Sequence, residues 1–428
     1  MSSASPASGL APRRLGQLIR GAFVRFIRAE AASGIILIVN TVLALWLANS
    51  ALHGRVEQIW QLAFSIPGVG APLSLRELVS DGLMALFFLV VGLEIKRELI
   101  DGELASVRRA ALPVLGALGG MLAPALIYLA FTGGSPFARG FGIPTATDIA
   151  FTVGVMTLLG RRVPLGAKVF VTALAIADDL GAVVVIAIFY SHFGSLLSML
   201  PVIGLTLLLM GLHLLSVRRL VVYLPIGALL WLAMHRAGVH ATLSGVVLAM
   251  AIPYREGQST SASSVSPLHR LEQTLHPVVA FGILPLFALA NAGVLLPPPA
   301  LAWQVFHSQP VTLGVFFGLL LGKPIGIFAC SVLAIRLGIG TLPSHTSYRV
   351  LFGSAMLAGI GFTMSIFITG LAFSDASVVA AAKTGVLAGS VCSALLGSLF
   401  LRFVSRANPA ESVPRDETVS DSPSDRSA

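Results

Sequence analysis

Two adjacent aspartates, Asp178 and Asp179, are the residues whose type and position most clearly indicate chemistry. They lie in the stretch 169–190, which is otherwise almost wholly apolar. Roughly 20 such residues, at about 1.5 Å each, cross the hydrocarbon core of a bilayer as a helix. An Asp at that depth costs about 2.5–3.5 kcal/mol on insertion scales, and nothing in the sequence offsets this cost structurally. The pair therefore predicts an ion or proton pathway.

Paired carboxylates suit the exchange of protons for a hard cation. An ordinary Asp, with a pKa of about 3.9, is ionised at neutral pH, but burial and a like-charged neighbour both favour the protonated form. A carboxyl group in this balance holds either a proton or Na⁺, so competition for one site couples the two ions. Successive helix residues point about 100° apart, so one aspartate can face a cavity while the other faces a neighbouring helix.

Composition places the chain among integral membrane proteins. Of its 428 residues, 56% are hydrophobic and 11% are charged, and the mean hydropathy is +0.89; soluble domains carry about 25% charged residues. The net charge of +9 does not indicate nucleic acid binding, because the basic residues lie in short loops between apolar runs. Cys330 and Cys392 lie inside apolar runs and offer neither a disulfide framework nor metal-ligand spacing.

The apolar runs predict an all-α polytopic membrane protein with about twelve transmembrane helices. A basic amphipathic segment, 1–32, precedes a membrane domain over 33–403, and a disordered tail follows over 404–428. The membrane domain contains a polar linker at 254–268 and, after the first span, a small hairpin near 60–75. Most Lys and Arg residues fall on one side of this map, which predicts cytoplasmic N- and C-termini.

Two three-helix repeats of opposite orientation are predicted, one over about 111–190 (spans III–V) and one over about 311–403 (spans X–XII). The middle span of each is interrupted, span IV at Pro144–Asp148 and span XI at Gly359–Thr363. Interrupted segments at matching positions of two halves are typical of the binding site of a secondary transporter.

Three further ionisable residues fall at membrane depth or its edge: Asp81, Asp148 and Lys323. Broken helices leave positive N–H ends and negative C=O ends in a low-dielectric region. Asp148 can compensate facing N-terminal ends, and Lys323 can compensate C-terminal ends or pair with Asp178. A purely structural Asp148–Lys323 ion pair is the alternative. Thr147 and the carbonyls freed at the breaks could complete an oxygen shell for a cation.

The chain resembles the NhaA family of bacterial Na⁺/H⁺ antiporters, and the resemblance runs in order from about residue 30 to residue 403. The motifs that carry it are Asp81–Phe88, Gly92–Leu99, Ala146–Phe151, Ala175–Gly181, Gly238–Leu243, Leu284–Gly293, Gly322–Gly326 and Gly361–Ser365. Family membership implies electrogenic, pH-regulated exchange of protons for Na⁺ and Li⁺ across the bacterial inner membrane, without enzymatic activity or a cofactor.

The resemblance also assigns roles. Asp179 would be the principal Na⁺ ligand and Asp178 its partner, gated through Lys323, while Asp148 and Thr147 would support the crossing of the broken helices. The hairpin near 60–75 would lie at a homodimer interface. The residues of the cytoplasmic pH-responsive cluster would be Glu94, Arg97, Glu98, Glu272 and His276.

This chain departs from the family pattern within that cluster. Gln273 stands where some relatives have histidine, and His269 stands where a lysine is common, so the pH set-point is open. Asp81 and His240 are accessory candidates; a histidine at a helix start can be a proton sensor or a structural group.

Two other classes also place charged or acidic groups in membranes. An intramembrane aspartyl protease needs two membrane aspartates on different helices, one of them in a Gly-x-Gly-Asp motif. The adjacent Asp178 and Asp179, preceded by Ala177, do not fit this motif. A cation channel needs a ring of carbonyls or charges, usually from several subunits, and one chain with inverted repeats argues against it.

Overall fold

The fold is taken from a computed structural model, and the residues that it describes are 32–65, 72–191, 195–254, 266–296 and 306–406. Nearly all of the predicted N-terminal segment (1–32), most of the linker (254–268) and most of the tail (404–428) lie outside these ranges. Within them the chain is almost entirely helical, with one two-stranded hairpin.

The helices follow the apolar runs of the sequence. In chain order they are α1 (Ala32–Ala48), α2 (His53–Trp60), α3 (Leu75–Ile100), α4 (Val107–Thr132), α5 (Pro136–Thr145, a 3₁₀ helix), α6 (Ile149–Leu158), α7 (Leu165–Tyr190), α8 (Leu196–Leu214), α9 (Leu220–Ala237), α10 (Leu243–Ala251), α11 (Pro267–Asn291), α12 (Pro310–Arg336), α13 (Tyr348–Leu357), α14 (Phe362–Ala372) and α15 (Ala376–Arg406).

Among the described residues, 8 helices are long and apolar enough to cross a membrane, and up to 11 spans result if each bent pair counts as one. The architecture is therefore that of a polytopic helical membrane protein, as predicted. The apolar run over 239–252 forms a helix too short to cross a membrane by itself. Gly238 ends α9 in the left-handed conformation, and Ile252 leaves the helix before Pro253, so α10 keeps only 9 residues, or about 14 Å.

Two helix pairs are bent inside the bundle. The axes of α5 and α6 meet at 41°, and those of α13 and α14 meet at 48°. These pairs are the predicted spans IV and XI, and their breaks fall at residues 146–148 and 358–361. Each pair lies in sequence between two long helices, α4 and α7 in the first case and α12 and α15 in the second.

Contact between backbones holds α4 against α12. A methyl group on Gly326 would lie 2.0 Å from the Gly119 carbonyl oxygen, and one on Gly119 would lie 2.2 Å from the Gly326 carbonyl oxygen. Small residues allow such close approach between helices in a membrane, where dispersion contacts drive association. This crossing fixes the position of Lys323 relative to α4, because Lys323 lies about one turn before Gly326 on α12.

The predicted hairpin is confirmed next to α3. Strand β1 (Ala63–Phe64) pairs antiparallel with β2 (Leu73–Ser74), and the tip, 66–71, lies outside the described residues. Arg76 donates hydrogen bonds of 3.0 and 2.7 Å to Glu57 of α2. These bonds and the Arg76 charge hold the pKa of Glu57 below its usual value. The pair therefore ties α2 to the start of α3.

Candidate functional site

The two broken helix pairs meet at one carboxylate. Asp148 Oδ1 accepts a hydrogen bond of 3.1 Å from the Phe151 amide at the start of α6. Its Oδ2 accepts one of 3.0 Å from the Thr363 amide at the start of α14, and another from the Thr363 hydroxyl. Asp148 is buried, so its negative charge compensates the positive ends of two helices where water does not.

Hydroxyl groups cover the opposite, negative end of α13. Thr147 donates to the Ala358 carbonyl over 3.1 Å, and Thr152 donates to the Leu357 carbonyl over 3.2 Å. The Asp148 amide donates to the Ile360 carbonyl over 2.7 Å. The last carbonyls of α13 are therefore satisfied by side chains and backbone from the other broken pair.

Lys323 joins this crossing to the paired aspartates. Its Nζ donates to Thr147 Oγ1 over 2.7 Å and to Asp178 Oδ2 over 2.6 Å. Its side chain has no exposed surface, and a π-helical turn, Gly318–Gly322, directly precedes it. Of the two partners considered for Lys323, Asp178 is the one in contact. The Thr147 hydroxyl links the ammonium to the end of α13, because it accepts from Lys323 and donates to the Ala358 carbonyl.

Asp178 and Asp179 have different surroundings. Asp178 is held by Lys323, whereas Asp179 lines a cavity of about 540 Å³ and Asp178 does not. Only 1% of Asp178 and 2% of Asp179 is exposed. Within the described part of the chain, Asp179 Oδ1 makes no hydrogen bond. Asp179 is thus a buried carboxylate with free acceptor capacity at the end of a cavity, which is what a site for a proton or a hard cation requires.

This cavity, the large cavity, is also lined by four of the five predicted pH-responsive residues, and the fifth, Glu272, contacts one of them. Arg97 lies 3.3 Å from Glu98 and 3.3 Å from Glu272, and His276 Nε2 lies 3.8 Å from Glu94 Oε1. The five residues thus form one group on α3 and α11. His269 also lines the large cavity, and its ring nitrogen lies 3.0 Å from the Ser266 hydroxyl.

A second cavity, the small cavity, has a volume of about 370 Å³ and is lined by Ser80, Asp81, His240 and Asn291 among others. It contains both predicted accessory residues. His240 Nε2 lies 2.7 Å from the Tyr190 carbonyl, which connects the start of α10 to the end of α7. Asn291 donates to the Ser80 hydroxyl over 3.1 Å and thereby joins α11 to α3.

An aromatic group separates the two cavities. Helices α3, α11 and α14 line both cavities with opposite halves of their length. Between these halves, the ring of Phe367 lies 5.4 Å from that of Phe88 and 6.3 Å from that of Phe287. All three rings are buried. Phe287 and Phe367 also line the small cavity, and we infer that the three rings form an apolar barrier, the aromatic barrier, between the two cavities.

Sequence reasoning did not assign roles to several residues of this arrangement. Thr363 binds Asp148. Its position directly after the Gly359–Gly361 break is the feature of the sequence that could have indicated this role. Asn291 belongs to the motif Leu284–Gly293, but its partner Ser80 is too far away in the sequence to be predicted. The aromatic barrier had no signal, because 24 phenylalanines are spread through the chain.

Crossed broken helices with buried ionisable groups at the crossing define a class, the secondary ion transporters. The chain belongs to the Na⁺/H⁺ antiporter 1 family, whose model matches residues 24–401. Two similar proteins named Na(+)/H(+) antiporter NhaA come from Rhodospirillum rubrum (51% identical, covering 91% of this chain and 98% of the relative) and Mesorhizobium japonicum (48% identical, covering 92% and 97%). A third, from Caulobacter vibrioides, is 47% identical over 91% of this chain and 92% of its own. The resemblance inferred from the motifs is thereby confirmed.

Proposed function

We propose that this protein exchanges protons for Na⁺ by competition at Asp179, with Asp178 and Lys323 as its charged partners. One observation carries the proposal: Asp179 is a buried carboxylate that lines the large cavity with an oxygen free to accept. The names of the relatives, Na⁺/H⁺ antiporters, support the same pair of ions. Na⁺ is the substrate here, not a resident cofactor.

Local chemistry supports coupling between the two ions. A cation at Asp179 adds positive charge near Lys323, which lies 2.6 Å from Asp178. Because like charges repel strongly at low dielectric, we infer that Na⁺ entry favours loss of the Lys323 proton or a break of its contact with Asp178. Release of two protons for each Na⁺ would make the exchange electrogenic.

Alternating access to the site follows from the two cavities. We infer that the large cavity faces the cytoplasm and the small cavity the opposite side, because the predicted inner loops carry most of the Lys and Arg residues. We further propose twelve spans, with the short α10 as the twelfth beside the eleven that the described residues allow, and with α4–α7 and α12–α15 as inverted repeats in a bacterial inner membrane and both termini in the cytoplasm. Transport requires the aromatic barrier and the crossing at Asp148 to rearrange in turn.

We further propose pH control through Glu94, Arg97, Glu98, Glu272 and His276, transport of Li⁺ as well as Na⁺, and a homodimer joined through the hairpin near 60–75. Ion pairs between these residues, beside the large cavity, support the proposed pH control. The proposed transport of Li⁺ rests on chemistry, because Li⁺ is a hard cation that carboxylates also bind. The proposed homodimer is supported by the exposure of both residues of the hairpin strand β1, which leaves that strand open to a second copy of the chain.

Proteoliposomes with an imposed proton gradient test the exchange. Addition of NaCl should collapse the gradient in wild-type vesicles, and Asp179→Asn should abolish this response, because an amide neither titrates nor binds a cation strongly. Asp375→Asn is the matched control, since the side chain of this exposed aspartate accepts hydrogen bonds from Ser377 and Val378 in the first turn of α15, far along the chain from Asp179. Collapse without added Na⁺ would indicate a channel or a leak, and an unchanged Asp179→Asn would overturn the proposal.

A further inference from the structure

A tryptophan of α9 holds the turn of α3 that carries Asp81. This turn, Leu78–Leu83, is π-helical, and such turns shift the backbone hydrogen bonds of a helix. Trp231 Nε1 donates to the Asp81 carbonyl oxygen over 3.1 Å. A methyl group on the neighbouring Gly82 would lie 4.0 Å from the indole ring, so the indole packs directly beside the turn. Trp231 thereby supports the backbone conformation that turns Asp81 toward the small cavity.

A histidine stacks on this tryptophan. His235 lies one turn further along α9, and the two ring centroids are 5.7 Å apart with an angle of 16° between the planes. Residues four apart share one face of a helix, so His235 lies on the face that Trp231 presents to α3. Trp231, on which it stacks, bonds the Asp81 carbonyl, so only one indole ring lies between the imidazole and the turn that carries Asp81. Histidine is the side chain that ordinarily changes charge between pH 5 and 8.

Among the described residues, the charged and titratable groups near His235 lie on α3, on α9 itself and on the neighbouring α8 and α10. From α3, Asp81 and Glu77 face this region, and Arg76 also lines the small cavity. On α9 itself Arg236 is exposed, and His240 at the start of α10 is engaged with the Tyr190 carbonyl. Helix α8 packs on α9, and its His213 contacts the Ala251 carbonyl at the far end of α10.

We infer that Trp231 and His235 are positioning residues for Asp81, and that protonation of His235 weakens the attraction of the small cavity for Na⁺. Trp231 fixes the π-helical turn, and the imidazolium offsets the negative charge of Asp81. Cation affinity on this side should therefore rise as the pH of the same side rises through the histidine range. The inference rests on the proposed exchange and goes beyond it, because it assigns a pH response to the side opposite the predicted pH-responsive cluster.

Na⁺ affinity measured from the small-cavity side tests this inference. Everted and right-side-out membrane vesicles allow Na⁺ and pH to be varied on that side, from about pH 5.5 to about pH 8, while the other side is held constant. His235→Gln removes the titrating charge and should bind Na⁺ about three-fold more tightly than wild type at the acidic end, with equal affinity at the alkaline end. His235→Arg keeps a permanent charge and should bind about three-fold more weakly at the alkaline end only.

Further variants separate positioning from general damage. Arg236→Gln removes an adjacent exposed charge and should leave the pH profile unchanged. Trp231→Phe keeps a ring for stacking but loses the N–H donor, and should weaken Na⁺ affinity at every pH. A wild-type profile in His235→Gln would overturn the role of His235, and unchanged affinity in Trp231→Phe would overturn that of Trp231. Absence of any Na⁺-driven exchange in the wild type would overturn the proposed function instead. If His235→Gln fails to fold, His235→Asn repeats the test.

Discussion

At the scale of single residues, hydroxyl groups decide how the buried charges are arranged. Thr147 accepts from Lys323 and donates to the Ala358 carbonyl, so it separates the ammonium from the negative end of α13. The Thr363 hydroxyl donates directly to the Asp148 carboxylate, beside the Thr363 amide that bonds the same oxygen. Both hydroxyls are buried, and a buried polar group of this kind is costly when it loses its partner.

Substitution of Thr363 tests this account of the crossing. Thr363→Val keeps the volume of the side chain but removes the hydroxyl that donates to Asp148. Hydrogen bonds to charged groups contribute about 1.5–3 kcal/mol, so the free energy of unfolding should fall by about this amount. Thr363→Ser keeps the donor and is the control. Thermal unfolding in detergent measures the difference, and equal stabilities of the Val and Ser variants would contradict the proposed role.

Charged residues of the site could be predicted because they are rare in apolar runs. Asp148, Asp178, Asp179 and Lys323 each stood out by the cost of burying them. Their partners could not be predicted in the same way. Whether Lys323 binds Asp178 or Asp148 depends on how α7, α12 and the broken pairs pack, and the sequence left both pairings open.

At the scale of elements, the site depends on helices that stop and bend at particular residues. Pro144 and the glycines at 359 and 361 predicted both breaks, because these residues disfavour continuous helix. The π-helical turns in α3, α7, α11 and α12 could not be predicted, since they share no residue pattern; three are apolar with or without glycine, and the one in α3 contains Ser80 and Asp81. The small length of α10 depends on the turn at Gly238, whose position among many glycines carried no special signal.

Close packing of α4 on α12 gives a prediction at this scale. Gly326→Ala places a methyl group 2.0 Å from the Gly119 carbonyl oxygen, so the two helices must separate and move Lys323. Overpacking of this kind costs about 1–3 kcal/mol, and transport should fall together with the unfolding temperature. Gly204→Ala on α8 is the control, because a methyl group there meets nothing within 4 Å. Wild-type stability in Gly326→Ala would contradict the described crossing.

At the scale of the whole molecule, the arrangement consists of two cavities and a barrier. Helices α3, α11 and α14 carry polar residues toward both ends and large aromatic residues between them. The class of protein could be read from composition and hydropathy, whereas the predicted number of about twelve spans exceeds the 8 to 11 that the described residues support. The cavities could not be predicted from the sequence, because their walls combine residues that are far apart in the chain, such as Asp81, His240 and Asn291.

Removal of one ring from the barrier should uncouple the two ions. Phe367 is buried between Phe88 and Phe287, so Phe367→Ala opens a gap that can connect the cavities. We expect a proton leak in proteoliposomes without Na⁺, whereas Phe367→Leu should fill most of the gap and stay coupled. A dye that follows the pH gradient measures the leak. A Phe367→Ala protein as tight as wild type would show that the barrier lies elsewhere.

The central claim is competition between Na⁺ and protons at Asp179, and binding without transport tests it most directly. Purified protein in weakly buffered detergent would be titrated with radioactive Na⁺ while a pH indicator records proton release. Competition predicts that Na⁺ displaces protons. It also predicts that the apparent affinity for Na⁺ falls about tenfold for each unit by which the pH is lowered, for each proton displaced. Asp179→Asn should show neither binding nor release. Na⁺ binding that is independent of pH and releases no protons would contradict the account.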